Sequence, residues 1–224
     1  MTIGRSATFG PKLTRIMVYL FHWLGNDHAS KRDITAQAVV FEREIDGSRH
    51  IYAFMRYYLP EAAIKASLQQ YDGWVRRGLI KQTPGAMLNV ELVEADTIEL
   101  SEKVDIQEIS VDPGHNSTQY GVHMEEEGFE VIDVRPSVYN FSESMKWLEA
   151  YITEGRFHFD GDPVLTWMMG NVSVKANHKD EIYPRKLREQ NKIDGVIALL
   201  MAVNRLMATA DTGSVYDTRG VLGG

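Results

Sequence analysis

The 224-residue sequence contains no cysteine. That absence excludes disulfides, thiolate zinc sites, iron–sulfur clusters and cysteine nucleophiles together, and it suits a reducing compartment. Long apolar runs are also missing. One candidate, Ile16 to Leu24, is interrupted by His22, and no run approaches the roughly 20 residues of a membrane-spanning helix, so no membrane association is expected. Positive charge is scarce: 24 Lys and Arg stand against 31 Asp and Glu, a net charge of −7. Any hold on nucleic acid must therefore come from a local basic patch and not from bulk charge. Residues 1–26 carry Arg5, Lys12 and Arg15 and no acid, but they lack a small-residue cleavage site, and their apolar run reads better as a buried strand than as a targeting signal. Several catalytic signatures are absent: the Gly-x-x-x-x-Gly-Lys-Ser/Thr phosphate loop, the Gly-x-Gly-x-x-Gly fingerprint, the Gly-x-Ser-x-Gly elbow and the His-Glu-x-x-His zinc helix. The 7 histidines are scattered without ligand spacing.

What remains is ordinary globular composition, 44% hydrophobic and 25% charged, in a length that suits one domain. Residues 1–24 read as a leader, with a first strand starting as early as Arg15 and ending at the turn-like Gly25-Asn26-Asp27. Ile34 to Ile45 and Arg49 to Leu59 predict two further strands joined by Asp46-Gly47-Ser48, a strong hairpin signal. Helical spacing follows over Ala63, Ile64, Leu68, Tyr71, Trp74 and Val75, with a break at Asp72-Gly73, and again from Val90 to Val104. The strand Ile106–Val111 is stopped by Asp112-Pro113-Gly114. Beyond it, helices over 117–127, 141–153, 162–169 and 192–207 alternate with strands over 129–134, 156–159 and 172–175. An antiparallel meander followed by strand–helix alternation predicts an α/β fold with a mixed sheet flanked by helices. The domain is expected to occupy residues 15–208, with a flexible tail over 209–224.

Three acids fall at the ends of elements: Asp27 after the first strand, Asp112 after the strand Ile106–Val111, and Asp194 in the first turn of the last helix. If the first strand of the meander lies beside the first strand of the alternating half, Asp27 and Asp112 emerge side by side and Asp194 reaches in from a helix. Carboxylates held together resist ionisation unless a cation intervenes. Hard, oxygen-seeking ions such as Mg²⁺ or Mn²⁺ are their natural complement, and a pair of such ions can cleave a phosphodiester. Plainer roles compete with this reading. Asp112 could close a turn, Asp194 could complete a capping box with Asn191, and Asp27 could be a turn acid.

The run Val111-Asp112-Pro113-Gly114-His115-Asn116-Ser117-Thr118-Gln119, followed by Glu125-Glu126-Glu127-Gly128-Phe129, resembles the nuclease domain of tailed-phage large terminase subunits. So do Tyr71-Asp72-Gly73-Trp74, Asp162-Pro163-Val164-Leu165-Thr166-Trp167-Met168-Met169-Gly170-Asn171 and Lys192-Ile193-Asp194-Gly195-Val196-Ile197-Ala198. The likeness runs in order over residues 25–220. It implies a ribonuclease-H-like fold, two Mg²⁺ or Mn²⁺ ions and endonucleolytic cutting of concatemeric viral DNA during packaging, in the cytoplasm of an infected bacterium. The family's first acidic ligand maps to Asp27 in Asp27-His28-Ala29-Ser30-Lys31-Arg32-Asp33, although the pattern departs at Asn26 and His28. Asp112 and Asp194 match the second and third ligands, Asp33 is an outer candidate, and His115 and Asn116 could orient a ligand or phosphate. Double-stranded DNA, a small terminase subunit and the portal are the implied partners. Full-length members carry an ATPase motor with a phosphate loop. None is present here, so translocation is not implied.

An acidic nuclease needs basic residues beside its site. Arg185, Lys186, Arg188 and Lys192 precede Asp194, Lys175 and Lys179 lie slightly upstream, and Lys31 and Arg32 adjoin Asp27. A solvated loop would account for the same charges. Two rival readings share these features in part: another ribonuclease-H-like nuclease such as a junction resolvase, and a non-catalytic DNA- or capsid-docking module whose acids only cap helices.

Overall fold

A computed structural model describes residues 21–28, 33–67, 71–114 and 116–217. Its centre is a seven-stranded sheet in the order β4-β3-β2-β1-β5-β6, with β7 also paired to β3. The meander comes first: β1 (Phe21–Asp27), β2 (Thr35–Ile45) and β3 (Ser48–Pro60) pair antiparallel. Asp46 and Gly47 close the second hairpin with φ of 51° and 74°, the left-handed conformation such a two-residue turn requires. After two short helices, α1 (Glu61–Ala66) and α2 (Asp72–Arg76), the three-residue β4 (Lys81–Thr83) adds parallel to the end of β3. Then α3 (Val90–Ser101), capped by the Asn89 side chain, leads into β5 (Asp105–Val111).

The strand β5 lies parallel to β1, and β6 (Val131–Asp133) lies parallel to β5 after the intervening α4 (Asn116–Glu126). Next come α5 (Val138–Thr153), capped by Ser137, β7 (Phe157–Phe159), and α6 (Pro163–Met169), capped by Asp162. A separate hairpin, β8 (Val172–Ala176) with β9 (Ile182–Lys186), precedes the last helix, α7 (Asp194–Asp217). Among the described residues no helix is long and apolar enough to cross a membrane.

Two cores follow from the period-2 alternation of the strands. On one face, Ala36, Ala38, Ala53 and Gly25 present a surface of small residues that α7 covers, with α5 and α6 packed around it. On the other, Val39, Phe41, Leu24, Ile109 and Val111 meet α3 and α4. Ile193, Val196, Ile197, Leu200 and Val203 face inward as the helical spacing predicts, and Met207 is partly buried. The helix is more enclosed than an amphipathic stripe requires, because Ala198, Leu199, Met201, Ala202 and Leu206 are buried too.

The structure differs from the sequence reading at several boundaries. Of the strand expected from Arg15, the described part begins at Phe21, and it does not stop at Gly25. It continues through Asp27, which pairs with Ala36. Residues 72–73 open α2 where the sequence suggests a break, β4 and β9 are strands that periodicity does not reveal, and α7 runs past Met207 to Asp217. No proline interrupts that last stretch, and Gly213 within it does not end the helix. The leader residues 1–20 and the end of the tail, 218–224, lie outside the described residues.

Candidate metal centre

Parallel pairing brings the C-terminal ends of β1 and β5 together. Gly25 pairs with Ser110 and Asn26 with Val111, so Asp27 and Asp112 occupy the next positions of neighbouring strands. Alternation sends both to the same face. Ile109 and Val111 point into the core against α3 and α4, which places Asp112 on the face covered by α7, and Asp27 shares that face with Gly25. A Cβ at Gly25 would overlap Ala198 O and stand 2.7 Å from Ala202 N. The missing side chain therefore lets the α7 backbone rest directly on β1, and the first turn of α7 carries Asp194 to the strand ends.

Electrostatics records the meeting. Burial pushes the Asp27 carboxyl well above the usual carboxylate range, and the charges of Asp194, Asp112 and Asp33 push the same way, opposed by Lys186. Asp194 is pushed up to about 6, first by burial and then by Asp33, with its own backbone N–H, Lys186 and Lys192 pulling it down. One carboxylate oxygen, Asp194 Oδ2, is buried without a hydrogen-bond partner. An orphaned anionic oxygen facing other carboxylates is a donor set that suits a hard divalent cation. Among the described residues, no three His, Asp or Glu side chains stand as a ready-made metal cage. The acids lie within electrostatic reach of one another without closing on a common point.

Asp33 forms an ion pair with Lys192. Asn191 does not cap α7. Its side-chain amide donates to Asn171, while the N–H groups of Val196 and Ile197 donate to the Ile193 carbonyl. The capping box that offered a plain account of Asp194 is thus absent, and Asp194 occupies the first helical position after Ile193. Asp27 is a paired strand residue and not a turn acid. Asp112 does sit in a tight turn, its carbonyl accepting from Gly114 N–H at 2.6 Å.

The basic candidates Lys175, Lys179, Arg185, Lys186 and Arg188 are exposed on the β8–β9 hairpin and the loop after it, and Lys192 is half-buried. The charge of Lys186 reaches both Asp27 and Asp194. Lys31, Arg32 and His115 lie outside the described residues, and Asn116 begins α4. Two tyrosines join the surroundings of the acids: Tyr71, from a run that carries the family resemblance though with no role assigned to it, and Tyr183, which no sequence signal marks. Burial raises Tyr71 to about 12, with Asp33 and Asp194 pushing the same way. Burial likewise raises Tyr183, with Arg185 opposing and Asp112 and Asp27 adding to the rise. Tyr183 sits on β9 with Arg185 stacked 5.5 Å from its ring. Only recognition of β9 as a strand could have pointed to it.

Comparison with known proteins agrees with this layout. Residues 19–210 match the family described as terminase large subunit, endonuclease domain. Protein YmfN of Escherichia coli (strain K12) is 32% identical over 205 residues, 87% of this chain and 45% of its own length. The large terminase subunit of Enterobacteria phage HK97 is 27% identical over 195 residues, 81% of this chain and 36% of that protein. Its crystal structure superposes with a TM-score of 0.73 at 25% identity, covering 84% of this chain and 40% of that one. The chain thus spans less than half the length of these relatives. The large terminase nuclease from thermophilic phage G20c with bound magnesium shares the fold, with a TM-score of 0.52 at 12% identity over 84% of this chain and 82% of that one. The mixed sheet with its helical flanks is the ribonuclease-H-like fold of those nucleases. With the match extending over the whole central sheet and most of α7, the chain belongs to the family of terminase large subunit endonuclease domains.

Proposed function

We propose that this domain is a divalent-metal-dependent DNA endonuclease that cuts concatemeric viral DNA during genome packaging, in the cytoplasm of an infected bacterium. One observation carries the reading. Asp27, its carboxyl raised by burial and by Asp194 and Asp112, lies near Asp194, whose Oδ2 is buried and unpartnered. A protein would not maintain such mutual repulsion for stability alone. Membership in the endonuclease family supports it, as do the magnesium- and cobalt-bound forms of the G20c nuclease.

Asp27, Asp112 and Asp194 would hold two Mg²⁺ or Mn²⁺ ions, with Asp33 as an outer ligand. Such ions, when bound, activate water at neutral pH and stabilise the leaving oxygen of a phosphodiester. The chain's own side chains supply the remaining work. Lys192 holds Asp33 in place, and Lys186 offsets part of the negative charge at Asp27 and Asp194. Lys175, Lys179, Arg185 and Arg188 extend that positive charge outward along the hairpin, where they would grip phosphates of double-stranded DNA. Lys31 and Arg32 are second candidates for that role, and His115 and Asn116 would orient a ligand or phosphate. A small terminase subunit and the portal are the partners that would bring the domain to its cut site.

The test is incubation of supercoiled plasmid with the chain and Mn²⁺ or Mg²⁺, with and without chelator. Nicked and linear products that disappear with chelator are expected. Intact plasmid across both ions and a range of temperatures would favour a docking module, and a marked preference for branched DNA would favour a resolvase.

A further inference from the structure

The face of β1 opposite the acids carries an unusual burial. Asn26, Gln37, Thr97 and Tyr120 have no exposed surface at all, in a core otherwise built from Leu24, Val39, Phe41, Ile109 and Val111. Polar groups in such a place are costly unless joined to one another. These are joined. The Gln37 amide nitrogen donates to Asn26 Oδ1 at 2.9 Å and to Thr97 Oγ1 at 2.8 Å. Thr97 uses its only proton on the Val93 carbonyl at 2.9 Å, so the 2.9 Å contact between Thr97 Oγ1 and Tyr120 OH must have Tyr120 as donor. Burial pushes the Tyr120 phenol up, which keeps that proton in place. At the far end, the Asn26 amide reaches the Ser110 carbonyl at 3.4 Å, and the Ser110 hydroxyl donates to the Leu24 carbonyl at 2.8 Å.

The chain of bonds therefore runs from α4 and α3 through β2 to β1 and across to β5. It ends on the residue before Asp27 and on the residue two before Asp112. Backbone pairing alone lets the last position of each strand fray, and it is there that these acids stand. We propose that Asn26, Gln37, Thr97 and Tyr120 are positioning residues that set the spacing between Asp27 and Asp112 from the opposite face of the sheet, and so set the affinity of the site for divalent cations. The inference rests on the metal reading above. Groups behind a metal ligand commonly change affinity by about tenfold to a hundredfold when removed.

A Mn²⁺ titration of the full chain, followed by thermal unfolding and independent of any cleavage, tests it. Thr97→Val keeps shape and removes the hydroxyl, Gln37→Met keeps bulk and removes the amide, and Tyr120→Phe removes a single donor. Thr97→Ser restores the hydroxyl. The expected result is a Mn²⁺ midpoint raised about tenfold in Thr97→Val and Gln37→Met, raised less in Tyr120→Phe, and within about twofold of wild type in Thr97→Ser. A purely structural role would lower the unfolding temperature equally at every Mn²⁺ concentration and leave the midpoint alone, and that result overturns the inference. Should Gln37→Met not fold, Tyr120→Phe and the Thr97 pair decide. A wild-type protein with no Mn²⁺ response overturns the metal reading itself and this inference with it, whereas a wild-type response that Thr97→Val retains overturns only the inference.

Discussion

Replacing Asp194 with asparagine should stabilise the domain in chelator at pH 8 while abolishing its stabilisation by Mn²⁺. Asp194 is raised from 3.8 to about 6 in the fold. A carboxyl with a raised folded pKa binds its proton more tightly folded than unfolded, so its contribution to stability falls as pH rises between about 4 and 6 and stays low above that. At about 1.4 kcal/mol for each pH unit of that rise, the ionised form costs about 3 kcal/mol at pH 8. Against that stands the favourable interaction of an acid with the N-terminus of α7, about 0.3–1 kcal/mol. The net gain for Asp194→Asn is about 2 kcal/mol, or about 4–8 °C in unfolding temperature for a domain of this size. Scanning calorimetry in chelator at pH 8 and pH 4 reads it directly, because the difference between the two proteins should shrink towards the lower pH. With Mn²⁺ at about ten times its dissociation constant, wild type should gain about 1.4 kcal/mol and the variant nothing. Were Asp194 merely a helix-terminal residue, asparagine would leave stability unchanged or lower it by up to about 1 kcal/mol at pH 8. Either outcome refutes the reasoning.

Other perturbations follow from the same geometry. Asp112→Asn should abolish plasmid nicking while leaving the circular dichroism spectrum and cooperative unfolding intact. Gly25→Ala should destabilise by about 1–3 kcal/mol or more in urea titration, because its Cβ would run into the carbonyl oxygen of Ala198 and α7 would have to lift off the sheet. Reversing charge at Lys186 and Arg188 should weaken duplex binding and flatten the log–log salt dependence by about 0.9 for each phosphate no longer gripped. An unchanged slope would remove both from the interface.

The meander and the central helix were legible because their signals are local. Asp46-Gly47 between two β-rich runs admits few structures other than a hairpin, and the apolar spacing from Ile193 to Met207 admits few other than a buried helix. The parallel pairing of β1 with β5, which joins Asp27 to Asp112, was inferable from element order but not from either strand alone, since it links residues far apart in sequence. What escaped was short or dual in meaning. The strand β4 is three polar residues, with no apolar alternation to register, and Pro184 within β9 argues against a strand. The basic run near Arg185 was visible as charge. That it lies on a hairpin, with Lys186 close enough for its charge to be felt by the acids, depends on contacts that no window of sequence contains.

Gly25-Asn26-Asp27 shows why such a stretch misleads. Glycine, asparagine and aspartate are the commonest turn formers, because each tolerates conformations or makes local hydrogen bonds that strands do not use. Here none of them turns the chain. Gly25 is small so that the α7 backbone can approach, Asn26 is polar so that it can close a buried network with Gln37 and β5, and Asp27 is acidic so that it can face Asp194 and Asp112. Alternation along β1 assigns the first and third residues to one face and the second to the other. One strand end thus brings a helix to the sheet, bonds to the strands behind it and presents a carboxylate in front, within three consecutive positions. The residues that looked least like a strand are those the site demands, because close approach, buried hydrogen bonding and negative charge all draw on the same small polar part of the amino-acid alphabet as turns do.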